Sequence, residues 1–192
     1  MESGQWCTAG ERTRWWFDSG ALSLDFAYTG SMAANPAGEQ FSAPGDLGGW
    51  LAARFERMDA AATTRELIDA LELRSAIAGV AHALNGQREP NPDDIDTVNL
   101  FAAMPNIPPA LPGGNRRAGH SSVHVGQALA MIARDAVEVF GDRAHGRLRE
   151  CAAGDCQFVF YDESRSNNRR WCSMQRCGNR SKVRAHRARL TL

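Results

Sequence analysis

Cys151 and Cys156 are separated by four residues, Cys172 and Cys177 by four again, and 15 residues lie between the two pairs. Two short-spaced pairs joined by a hairpin-length insert bring four thiolates to the corners of a tetrahedron, which zinc's filled d-shell accepts readily. No other feature of this 192-residue chain restricts its fold as strongly. The segment 151–192 has too few apolar side chains to fold on a core of its own, so a metal must supply the folding energy. Four of the five cysteines fall in this cluster. The N-terminus (MESGQWCTAGERTRWWF) lacks the basic and apolar regions of a secretory signal, and no run of residues is long and apolar enough to span a membrane. In a chain read as intracellular, clustered cysteines favour metal over disulfides. Four cysteine ligands leave no coordination position open, so the expectation is one structural zinc ion; an iron–sulfur cluster is the remaining alternative.

Within the insert, Gln157–Tyr161 reads as a short strand and Asp162–Asn168 as a polar turn. After Cys177, Gly178 is expected to take a positive φ and release the chain into a helix. Asn179 is expected either to cap that helix or to read a base edge. The segment 151–192 carries nine basic side chains and three acids, a formal +6, whereas residues 1–150 hold 13 bases and 19 acids, a formal −6. A basic end on an acidic body is the electrostatic pattern of a polyanion-binding module attached to something else. The candidate contacts are Arg165, Arg169 and Arg170 in the inter-pair loop and Asn179, Arg180, Lys182, Arg184 and Arg187 around the helix that follows. The chain has 21 Arg and a single Lys, so Lys182 is a sharper signal than any one arginine.

The rest reads as helical. Thr64 to Asn85 forms the clearest helix, with Leu73, Ile77, Val80, Ala81 and Leu84 on one face and Thr63 or Thr64 as its cap. Asn91-Pro92 starts another, carrying Ile95, Val98 and Phe101. A further helix places Val125, Leu129, Ile132, Ala136 and Phe140 on one side. Residues 30–49 read as a loop, with a helix beginning at Asp46 or soon after. The proline-rich 104–119 cannot continue a helix, and closes over a pocket or merely links two helices. Residues 22–28 satisfy both strand alternation and helical spacing, so periodicity alone does not decide them. The expected architecture is mainly α: a multihelical domain over 1–145, then a small four-cysteine zinc finger over 146–192 with a short β-hairpin and a helix.

The stretch Cys172-Ser-Met-Gln-Arg-Cys177-Gly178-Asn179-Arg180-Ser-Lys182, preceded by Cys151 and Cys156, resembles the signature of the CGNR zinc finger. In that family the finger usually follows an ABATE domain, and Gly20-Ala-Leu-Ser-Leu-Asp25-Phe through Thr29 is similar to the start of one. Tyr28 stands where a typical member carries Asn. The resemblance implies a stress-responsive transcription regulator that binds double-stranded DNA in the cytoplasm, at the nucleoid.

Other readings weigh less. His120 and His124 stand four apart, but Ser121 and Ser122 occupy the middle of what would be a zinc-protease motif, so two first-turn polar residues is the plainer reading. Asp25 is either a buried functional acid or a hydrogen-bonding partner, and nothing near Cys7 marks it as reactive. No phosphate-binding glycine loop or nucleophile-elbow motif occurs, so an enzyme has little to rest on. Two alternatives to a DNA regulator stay open. One is an RNA-binding zinc module, with Phe158, Phe160, Tyr161 and Trp171 stacking on bases. The other is a metal-stapled protein-interaction protein. Under the DNA reading the acidic body serves as a homodimerisation or small-molecule-sensing module; Trp15, Trp16, Phe17, Trp50 and Phe55 line an effector pocket or make plain core.

Overall fold

The computed structural model describes residues 4–9, 13–32, 38–59, 61–109, 111, 122–141 and 146–190. The fold is mainly α, with six α-helices and two small antiparallel hairpins among the described residues. Helix α1 (Leu22–Ala27) resolves the ambiguity at 22–28 in favour of the helix. It has no side-chain cap of its own; the Ser23 N–H donates to the Asp135 carboxylate at 2.7 Å, so a neighbouring helix supplies the missing acceptor. Helix α2 (Pro44–Ala52) begins two residues earlier than the sequence suggested. Pro44 takes a first-turn position, where its missing N–H costs nothing, and the Asp46 carboxylate accepts from the backbone of Ser42 and Ala43. That start lay inside a Gly- and Pro-rich stretch, which concealed it.

Helix α3 (Thr64–Asn85) has the expected bounds and the expected cap. Thr63 Oγ1 accepts from the Glu66 N–H while Glu66 Oε2 accepts from the Thr63 N–H, a reciprocal capping box. Helix α4 (Pro92–Ala103) is capped by Asn91, whose side chain accepts from the Asp93 N–H. Val98 and Phe101 are buried as expected, but Ile95 is exposed. Helix α5 (Val125–Phe140) buries Val125, Leu129, Ile132 and Ala136, with Phe140 at the boundary. His124 immediately precedes α5 and is exposed, whereas His120, Arg116 and Arg117 lie outside the described residues.

No local pattern announces the N-terminal hairpin, β1 (Gln5–Ala9) with β2 (Thr13–Phe17), registered Trp6 opposite Trp16 and Cys7 opposite Trp15. Its pleat sends Cys7, Trp15 and Phe17 inward and leaves Trp6 and Trp16 outside. The second hairpin pairs β3 (Leu148–Glu150) with β4 (Val159–Tyr161), Arg149 opposite Phe160.

The two hairpins bind the ends of the chain together. Phe158 packs edge-on against Phe17, with ring centroids 4.6 Å apart, and stacks on Tyr28 at 5.3 Å. The Tyr161 N–H donates to the Ser19 carbonyl at 2.7 Å. One continuous set of buried side chains therefore runs from α3 and α5 through Phe17 and Tyr28 to Phe158, Phe160 and the four clustered cysteines. Body and finger share a core.

Candidate metal centre

Cys151 follows β3, Cys156 ends the short turn that leads to β4, and Cys172 and Cys177 lie at either end of the segment entering the last helix. The four Sγ atoms lie within 4.8 Å of one another, and all four cysteines are buried. Cys156 to Cys172 measures 3.7 Å and Cys172 to Cys177 3.5 Å. A tetrahedron with Zn–S bonds of about 2.3 Å has edges of roughly 3.8 Å, so the sulfurs already stand at zinc spacing. Four mutually contacting thiols with no carboxylate or imidazole among them are a soft, closed donor set, which suits one structural zinc ion. When bound, the ion would hold the four sulfurs as thiolates and tie the two cysteine pairs together.

Backbone donors and cations surround the sulfurs. The Cys172 N–H points at Cys151 Sγ at 3.4 Å. Arg180 donates to Cys177 Sγ at 3.3 Å while its two terminal nitrogens grip the Asp155 carboxylate at 3.0 and 3.2 Å. Arg184 reaches the same carboxylate at 3.0 Å. The guanidinium groups of Arg184 and Arg180 hold the Asp155 carboxyl below its usual range. Arg176 lies over the Trp15 ring, 4.1 Å from its centroid, and places a further cation beside the cluster.

The entry to the last helix corrects two expectations. Met174–Gly178 is a single π-helical turn, in which the Gly178 N–H donates back to the Ser173 carbonyl at 3.1 Å. The turn runs straight into α6 (Asn179–Leu190). Asn179 therefore already has helical φ and ψ, −66° and −41°, and does not cap; its side chain is exposed. Gly178 is not needed for a positive φ. A Cβ there would lie 2.7 Å from Sδ of the flexible, exposed Met174, which can move aside, and 3.3 Å from Trp171 Cδ1.

The candidate nucleic-acid residues do not form one group. Arg165, Arg170, Lys182, Arg184 and Arg187 are exposed. Arg169 is half-buried; it donates to the carbonyls of Asp18, Trp171 and Cys172 and covers the Phe160 ring at 4.2 Å. It fastens the inter-pair loop to the body. Of the aromatics expected to stack bases, Phe158 and Phe160 are buried in the shared core and Trp171 and Tyr161 are half-buried. Sequence reasoning missed Asp155, Arg176 and Asp162. Asp162 is fully buried and organises the polar turn by accepting from the backbone N–H groups of Ser164 and Arg169. The available signal was that Asp155 and Asp162 are two of only three acids in a basic segment.

A helical body fused through a shared core to a closed four-cysteine site defines a zinc-finger protein in which the metal stabilises the fold. Residues 147–190 match the model of the CGNR zinc finger. Residues 20–143 match the ABATE model, whose description is "Putative stress-induced transcription regulator"; the chain belongs to the ABATE family. Neither is an enzyme family by description. No curated protein matches the chain. Among the described residues, no helix is long and apolar enough to cross a membrane.

Proposed function

We propose that this protein is a DNA-binding transcriptional regulator, acting in the cytoplasm at the nucleoid, in which the zinc finger and α6 contact duplex DNA. The observation that carries this reading is α6 itself. It is a 12-residue helix with no buried residue, fixed at one end to the metal centre, and it holds no acid. Isolated helices of this length are marginal in water, so one kept on the surface with this charge is suited to docking on a polyanion. Arg165 and Arg170 of the inter-pair loop, with basic residues of α6 that turn away from Asp155, are the proposed phosphate contacts. The acidic body repels phosphate and serves as the dimerisation or effector-sensing part, and pairing two fingers would give a two-fold symmetric site.

The RNA alternative is disfavoured by the burial of Phe158 and Phe160. Competition between duplex DNA and single-stranded RNA in a gel shift tests the proposal. Preference for the duplex, with an affinity that falls steeply as salt rises, is expected. Preference for RNA, or no binding to either at low salt, would sink it.

A further inference from the structure

We infer that α6 divides its cations between two faces, and that the face docking on the duplex is Asn179, Lys182, His186 and Arg189 rather than Arg180, Arg184 and Arg187. The inference rests on the DNA reading above and specifies its surface. At about 100° per residue, Asn179, Lys182, His186 and Arg189 fall within a stripe roughly 80° wide. Arg180, Arg184 and Arg187 form a second stripe, centred roughly 150° away around the axis. The second stripe faces the knuckle between Cys151 and Cys156: Arg180 and Arg184 both reach the Asp155 carboxylate at 3.0 Å, and Arg180 also reaches Cys177 Sγ at 3.3 Å. The Asp155 carboxylate already offsets part of the charge of these two arginines, so each gains less from a phosphate than a cation with no acid beside it.

The first stripe has no such engagement. Asn179, Lys182, His186 and Arg189 are exposed, and no hydrogen bond or ion pair joins their side chains to other described residues. No acid occurs between Ser164 and Leu192 to compete for them. Charge complementarity therefore points this face at a polyanion. Lys182 and Arg189 stand about 10 Å apart along the helix axis, within the reach of successive phosphates beside a major groove wide enough to admit an α-helix. Asn179 and His186 put hydrogen-bonding groups on the same face. Arg180 and Arg184 are then positioning residues: through Asp155 they fix the direction in which α6 leaves the metal centre.

The test uses the zinc-loaded full chain and fluorescence anisotropy on a duplex of arbitrary sequence over a range of salt concentrations. Three proteins are compared: the unchanged chain, the double variant Lys182→Gln with Arg189→Gln, and Arg184→Gln. All of these positions are exposed, and Gln is a good helix former, so the fold tolerates each change. The double variant should lower the slope of log K against log salt by about two, whereas Arg184→Gln should leave it unchanged. An unreduced slope in the double variant, or an equal loss per charge in Arg184→Gln, overturns the assignment of faces while the DNA reading stands. An unchanged chain that fails to bind duplex at low salt removes the DNA reading and this inference with it.

Discussion

The Tyr28 hydroxyl donates to the Val159 carbonyl at 3.0 Å and accepts from the Val159 N–H at 2.8 Å, so one side-chain atom closes both main-chain groups of a strand 131 residues away. Tyr28 ends the first helix of the body, and Val159 opens the finger's inner strand. Both are buried. Burial, offset in part by the bond to Val159, drives the phenol pKa upward, so the hydroxyl keeps the proton it donates.

Tyr28→Phe should therefore destabilise the whole protein. It leaves a buried N–H and a buried carbonyl without partners, at a cost of about 2–4 kcal/mol. Urea denaturation followed by tryptophan fluorescence measures this; a change under about 0.5 kcal/mol would mean that the junction is not a stability element.

Gly20→Ala should be among the most damaging single changes. Gly20 has φ of +77°, and a Cβ there would lie 2.1 Å from the Tyr161 carbonyl oxygen, where the finger's hairpin crosses the body. Neither the backbone carbonyl nor the left-handed conformation can yield cheaply, so a loss of about 3 kcal/mol or more is expected. Thermal melts of the variant and the unchanged chain check it; equal midpoints would refute the close approach.

Asp25 supplies a pH dependence of unusual sign. The side chain is fully buried. Desolvation raises its pKa from the ordinary 3.8 to about 6, against the opposing hydrogen bonds from the Gly4 N–H and Ser19. Ser19 Oγ lies 2.8 Å from the Ala21 carbonyl and 2.6 Å from Asp25 Oδ1. The Ser19 hydroxyl and the Gly4 N–H both donate to the Asp25 carboxyl, so they hold the rise in check without cancelling it. Between pH ~4 and ~6 the folded chain holds a proton that the unfolded chain has released, so this contribution to stability falls as pH rises, by about 3 kcal/mol in all, and is level above that window. Asp25→Asn has no proton to lose, so it should gain on the unchanged chain between pH 4 and pH 7. Denaturant titrations at the two values decide the matter; a stability difference that does not change with pH would contradict it.

Zinc removal should weaken the body as well as the finger. Phe158 lies between the second cysteine and β4 and packs on Trp15, Phe17 and Tyr28, so loosening the metal centre opens the aromatic junction. Chelation, or Cys172→Ser, is expected to lower the midpoint of the helical circular-dichroism melt by at least about 10 °C. A body transition that stays in place while the finger unfolds would show two independent units.

By itself the sequence determined whatever depends on local spacing. The repeated four-residue gap announced a closed metal site because ligand geometry restricts such spacings severely. The bounds of α3 were legible because Thr63 and Glu66 form a capping box and the apolar face recurs every 3.6 residues. The basic character of α6 was plain from composition. Tertiary structure alone decided what each group faces. Residues 22–28 fit two periodicities, and the choice of helix rests on Asp135 of α5 accepting from Ser23. The N-terminal hairpin needed a core to receive Cys7, Trp15 and Phe17, and part of that core comes from the opposite end of the chain. Phe158 looked like a stacking platform because basic residues stand close to it in the sequence, yet its spatial neighbours are Phe17 and Tyr28. The arginines of α6 are equivalent in sequence; Asp155, 25 residues before Arg180, separates those tied to the metal centre from the rest. Long-range pairing of this kind leaves no local pattern, since its energy comes from groups that meet only once the chain has folded.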